Sequence, residues 1–96
     1  MLFDDIVEQK EKISLLVKQY GARHLRVFGS VARGEDNVES DIDFLVDFPR
    51  GYDLFRQRLP LTQKLQELLK QPVDLIPEHE LNPYIREQVL SEARDL

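Results

Sequence analysis

Asp41 and Asp43 stand two apart at the head of an apolar run, D-I-D-F-L-V-D-F. On a β-strand, residues at that spacing project from one face with origins roughly 6.6 Å apart, leaving Ile42, Phe44 and Val46 to the other face. Two carboxylates about 5 Å apart repel by roughly 3 kcal/mol at an effective dielectric near 20. Splaying into water, sharing a proton or binding a cation each relieves that repulsion. Hard oxygen ligands in this arrangement suit Mg²⁺ or Mn²⁺, although solvated aspartates at a strand entrance satisfy the same pattern. A third acid, Asp74, interrupts the apolar run V-D-L-I-P. A carboxylate inside a short strand is costly unless something pairs with it. Asp74 is therefore a salt-bridged or edge residue, or strand pairing brings it alongside Asp41 and Asp43 as an acidic triad.

Upstream, the apolar run H-L-R-V-F ends in Gly29-Ser30. A strand that enters a helical turn through Gly-Ser presents free backbone N–H groups and so forms an anion cradle. Gly29 lets a phosphate approach the backbone, and the Ser30 hydroxyl adds a hydrogen bond; an ordinary capped turn uses the same two residues. The stretch has neither the Gly-Lys-Ser/Thr of a Walker loop nor G-x-G-x-x-G. A calcium loop fits poorly, because D-I-D-F-L-V turns apolar at once. His24 reads as a strand residue and His79 lies in the polar run E-H-E, so neither is given a metal role.

These residues need elements to hold them. From Asp4 to Tyr20, the spacing of Ile6, Val7, Ile13, Leu16, Val17 and Tyr20 predicts one amphipathic helix, with Gly21 as its stop. His24 to Gly29 reads as a strand with Leu25 and Val27 on one face. S-V-A-R-G makes one helical turn with Ser30 at or near its N-cap and Gly34 ending it, and E-D-N-V-E-S is a polar loop. A second strand starts at Asp41. A leucine-rich helix runs from about Asp53 to Lys70, carrying Phe55, Leu59, Leu65, Leu68 and Leu69, and Pro60 kinks or splits it. V-D-L-I (73–76) is a third strand. A last helix fits Pro83 to Ala93, with Tyr84, Ile85, Val89 and Leu90 available for packing. Strands alternating with helices favour an α/β or α+β fold, a small sheet covered by helices.

The chain has 96 residues, which suits one domain spanning residues 1–96. It carries 13 basic and 18 acidic side chains for a formal charge of −5, a poor electrostatic match for nucleic acid. Cysteine is absent, which excludes disulfide and thiolate–metal chemistry. The start, M-L-F-D-D-I-V-E, resembles neither a signal peptide nor a membrane span, so a cytoplasmic protein without membrane or direct nucleic-acid partners is expected.

Taken together, F-G-S-V-A-R-G-E-D-N-V-E-S-D-I-D-F-L-V-D-F resembles the G-S-x-A-R-G…S-D-x-D-x-x-V motif of the nucleotidyltransferase superfamily, in its minimal branch, and K-Q-P-V-D-L-I-P resembles that family's third-acid strand. The resemblance covers nearly the whole chain. It implies a polymerase-β-like core, a small mixed sheet flanked by helices, and transfer of a nucleoside monophosphate from a nucleoside triphosphate, AMP from ATP. By the same resemblance Gly29 and Ser30 hold the triphosphate tail, Asp41 and Asp43 ligate two Mg²⁺ ions, and Asp74 is the third carboxylate at the metals and the acceptor hydroxyl. Arg33 falls at the family's arginine, near the phosphates or in a supporting salt bridge. Ser40 caps the loop before Asp41. Minimal members resemble antitoxins paired with a HEPN-domain ribonuclease toxin, which they silence by attaching AMP to a tyrosine. The alternative is a non-catalytic antitoxin that blocks its toxin by binding alone.

Overall fold

The computed structural model describes residues 3–35 and 41–96. Ser40 and most of the polar loop before it therefore lie outside the described residues. The elements follow in the order α1 (Phe3–Glu8), α2 (Lys10–Gln19), β1 (Arg23–Phe28), α3 (Gly29–Arg33), β2 (Ile42–Asp47), a π-helical turn (Leu54–Arg58), α4 (Leu59–Leu69), β3 (Val73–Pro77), a 3₁₀ turn (Glu78–Glu80), α5 (Pro83–Glu92) and β4 (Arg94–Asp95). The four strands form one mixed sheet in the order β3-β2-β1-β4. β2 runs parallel to β3, while β1 is antiparallel to both β2 and β4.

The two-residue period of the strands divides the sheet cleanly. Leu25 and Val27 of β1, Ile42, Phe44 and Val46 of β2, and Val73 and Leu75 of β3 are buried in one cluster. Ile6, Ile13 and Val17 from α1 and α2, with Leu61, Leu65 and Leu69 from α4, complete that cluster. This is the main core, and three- and four-residue spacing on the helices meets alternation on the strands there. A smaller cluster joins Leu45, Leu81 and Val89, with Phe28, Ile76 and Leu90 packed against it. It lies on the opposite face, beneath α5. By alternation, Asp43 of β2 and Asp74 of β3 belong to that second face.

Several expected boundaries shift. The first helix is not continuous: Gln9 separates α1 from α2, and its N–H donates to Ile6 O three residues back at 3.0 Å, a tighter turn than the α-helix makes. The leucine-rich segment stays helical past Pro60 but changes its winding between Arg58 and Leu59, just ahead of Pro60, which has no N–H to give the preceding turn. Ahead of it the backbone widens into the π-helical turn, and Pro60 sits in the first turn of α4. Thr62 Oγ1 then donates to Arg58 O at 2.8 Å. Phe55 and Leu59 of that segment are exposed, while Leu61 is buried instead. Tyr84 and Ile85 are likewise not packing residues: Tyr84 is 96% exposed, because α5 turns Val89 toward Leu45. Arg86, one residue beyond Ile85, binds Glu78 through both its carbonyl and its carboxylate, which fixes that rotation.

Asp53 accepts from Phe55 N at 2.9 Å and from Arg56 N at 3.0 Å, so it caps the π-helical turn. Asp53→Ala is expected to lower stability by about 1 kcal/mol, the usual worth of an N-cap, read as a shift in the urea midpoint at unchanged slope.

Candidate active site

β2 and β3 are parallel neighbours in which Asp43 is paired in register with Asp74. Register partners project from the same face, so two acids 31 positions apart in the chain become adjacent. Asp41 sits one residue ahead of β2 and is exposed, with the following Ile42 N–H donating to Pro72 O at 3.0 Å. That bond ties the approach to β2 to the approach to β3. Asp43 is partly buried, and its carboxyl is pushed up from 3.8 to about 6. Loss of solvation is the first cause; the negative charges of Asp74 and Asp41 add to it, and Arg33 opposes it.

The Gly-Ser turn meets these acids directly. Gly29 has φ +75°, and a Cβ built on it would overlap the Asp43 carboxylate. Only glycine accepts both conditions, which is the physical reason for its place here. Phe28, extended at φ −132° and ψ −175°, is the residue that precedes α3, and no side chain caps it. Ser30 is therefore inside the first turn of α3 rather than its cap. Gly34 ends α3 in the left-handed conformation, φ 73° and ψ 21°. β1 and β2 pair Phe28 with Asp43, which brings the start of α3 to the acid face.

Arg33 projects from α3 into a carboxylate network. Its Nε donates to Glu35 at 2.8 Å, and its Nη1 donates to both Glu92 oxygens at 3.2 Å. Glu92 also accepts the Gly29 N–H at 3.1 Å. The motif pattern gives no hint of Glu92, since an acid at the end of the last helix, in L-S-E-A-R-D-L, resembles any solvated helix terminus. Its position depends on β4, the two-residue strand that also escapes sequence reading. There Arg94 and Asp95 pair with Val27 and Arg26 of β1, and Arg94 stacks on the Phe3 ring.

Both histidines lie beside carboxylates. His24 reaches Asp95 at 2.9 Å and Asp47 at 3.6 Å, and His79 lies 3.8 Å from Glu80. A recess of about 170 Å³ at the opposite end of β1 from Gly29 is lined by Lys10, Lys18, Arg23 and His24 among others, with no acid, and is unrelated to the carboxylate pair. No group of three or more His, Cys, Asp or Glu among the described residues is placed to hold a metal ion by protein ligands alone. The donor set is nonetheless of the kind Mg²⁺ uses, since that ion is bound through one or two carboxylates together with substrate phosphates and water.

A model of the nucleotidyltransferase domain matches residues 6–96. The chain belongs to the nucleotidyltransferase domain family. Within this family it is 35% identical over 92 residues to a provisionally named protein adenylyltransferase of Methanocaldococcus jannaschii, covering 96% of this chain and 98% of the relative. It is 39% identical over 78 residues to protein adenylyltransferase MntA of Thermococcus cleftensis, covering 81% of this chain and 78% of the relative. A solved structure provisionally described as a minimal nucleotidyltransferase superposes with a TM-score of 0.86 at 42% identity, covering 100% of this chain and 97% of the other. A toxin–antitoxin complex with AMP-PNP superposes with a TM-score of 0.75 at 27% identity, covering 90% and 70%. A complex of a tri-AMPylated Shewanella oneidensis HEPN toxin with its MNT antitoxin superposes with a TM-score of 0.67 at 25% identity, covering 91% and 67%. The mixed sheet with flanking helices is thus the nucleotidyltransferase fold of this family.

Proposed function

We propose that this protein transfers AMP from ATP to a hydroxyl group, the acceptor being a tyrosine of a HEPN-domain toxin, and that it acts as that toxin's antitoxin in the cytoplasm. The observation that carries the reading is the register pairing of Asp43 with Asp74 beside the Gly29 turn. Relatives named protein adenylyltransferases support it, as does the fold shared with a complex whose HEPN toxin is tri-AMPylated.

In this reading Gly29, Ser30 and Arg33 grip the triphosphate tail, and Asp41, Asp43 and Asp74 face its α-phosphate. Asp41, Asp43 and Asp74 would hold Mg²⁺, which when bound lowers the acceptor's pKa and offsets charge on the leaving group. The acceptor oxygen forms a bond to the α-phosphorus as the bond to the bridging oxygen breaks, and pyrophosphate departs. Asp74, the more exposed of the register pair, takes the hydroxyl proton. A phenol with pKa near 10 requires less help than an alcohol.

The test combines the protein, Mg²⁺, ATP labelled in its adenosine and the HEPN protein encoded beside it. Label is expected on the partner, mapped by mass spectrometry to tyrosine, and to vanish with EDTA. Full neutralisation of the toxin in cells without any label would instead assign the protein to inhibition by binding.

A further inference from the structure

The donors expected to grip phosphate already hold an anion. One Glu92 oxygen accepts from Gly29 N at 3.1 Å and from Arg33 Nη1 at 3.2 Å, and the other accepts from Arg33 Nη1 at 3.2 Å. The Glu92 side chain is only 19% exposed, so it fills the space between the turn and α3's arginine rather than skirting it. We infer that the Glu92 carboxylate is a built-in stand-in for a nucleotide phosphate, holding the Gly29 N–H and the Arg33 guanidinium until a nucleoside triphosphate displaces it. This rests on the assignment of Gly29 and Arg33 to the triphosphate under the proposed function.

Three features support exchange rather than a permanent brace. A backbone N–H makes one good hydrogen bond, so a phosphate oxygen at Gly29 must replace Glu92. A carboxylate and a phosphate that share Arg33 repel each other, so the incoming anion also weakens the resident one. Arg33 keeps a second anchor, Glu35 at 2.8 Å, and remains oriented while Nη1 changes partner. The backbone beyond Glu92 is fastened by the pairing of β4 with β1, by Arg94 on Phe3 and by His24 on Asp95. Displacement is therefore a swing of the Glu92 side chain, not an undocking of α5. Its consequence is a lowered nucleotide affinity: binding begins by breaking protein–protein hydrogen bonds, and an occupied turn rejects weak anions that lack a second phosphate to reach Arg33.

The deciding experiment is calorimetric titration of the purified protein with AMP-PNP and Mg²⁺, comparing wild type with Glu92→Gln. The amide keeps the size of the side chain and an oxygen for Gly29 but removes the competing charge, so Kd is expected to fall about 3- to 10-fold. A structural brace gives the opposite sign, since losing the ion pair to Arg33 would loosen the turn. Equal or weaker binding by the folded variant, judged by circular dichroism, overturns the inference. If Glu92→Gln does not fold, Glu92→Ala is read by the same criterion. Absence of nucleotide binding by the wild type would overturn the nucleotidyltransferase reading itself, a result distinguishable from an unfavourable variant.

Discussion

Asp43→Asn is expected to reduce AMP transfer by about 10²–10⁴-fold, the range lost when a group acting directly on the reacting centre is removed. Asparagine keeps the shape of aspartate, so the turn around Gly29 survives, but it cannot supply the charge that a hard cation and a triphosphate demand. The same substitution is expected to stabilise the metal-free protein at neutral pH. Asp43 has its carboxyl raised from 3.8 to about 6 by burial first and by Asp74 and Asp41 next. A raised acid favours the protonated fold: that stability is fully present below the ordinary value and is lost as pH rises through about 6. At pH 7.5 the wild type therefore carries the penalty of a charged Asp43, worth about 1–2 kcal/mol after allowance for solvent screening. Urea denaturation in EDTA should show wild-type stability declining between pH 4 and pH 7, with a flatter profile for Asp43→Asn. Equal profiles would mean that Asp43 is not forced against its acidic neighbours. Retained transfer by a folded Asp43→Asn would remove the catalytic assignment.

Gly29→Ala carries the second large effect. The added methyl meets two obstacles at once, a φ of +75° and the carboxylate of Asp43. The left-handed backbone alone costs an alanine about 1–2 kcal/mol, and displacing Asp43 raises the expected loss to about 2–3 kcal/mol. Gly34→Ala is the internal control. Gly34 has φ +73°, yet nothing lies within 4 Å of its would-be Cβ, so it should lose only the backbone share. Nucleotide affinity should fall at least about tenfold in Gly29→Ala, because the turn and the acid it touches move together. Equal destabilisation in the two alanine variants would show that contact with Asp43 contributes nothing.

The likeness of this chain to protein adenylyltransferases gives these effects a shared cause. A triphosphate and the carboxylates that act on it are all anionic, so such a site must be assembled against repulsion. Here a sheet register places Asp43 beside Asp74, and a glycine with no side chain lets a backbone turn close over Asp43. Under the proposed function, a cation held by these carboxylates would offset part of that repulsion, as Arg33 offsets part of it at Asp43. Glu92 adds another negative group at the same place, so any account of nucleotide affinity must include it.

Much of the architecture was legible from local chemistry. Alternation put Leu25 and Val27 on one face of their strand and Ile42, Phe44 and Val46 on one face of theirs, and these two faces are buried together. Gly34 ends its turn in the left-handed conformation that its type suggests. Pro60 announced a break, although its form, a π-helical turn leading into α4, depended on how the preceding residues packed. Other features had no local signature. Tyr84 and Ile85 look as suited to burial as Val89, and the choice between them was made by Arg86 gripping Glu78 and by Leu45 waiting beneath Val89. The pairing of Arg94 and Asp95 with β1 is too short to show periodicity.

The sequence by itself determined which residues carry charge, which faces are apolar and where the chain must turn, because these follow from side-chain chemistry and from spacings of two to four residues. Tertiary structure alone decided which distant groups meet. The parallel register of β2 and β3 set Asp74 against Asp43, and the return of α5 across the sheet delivered Glu92 to Gly29. Such encounters follow from packing whole elements around a shared core, and no short window of sequence contains that information.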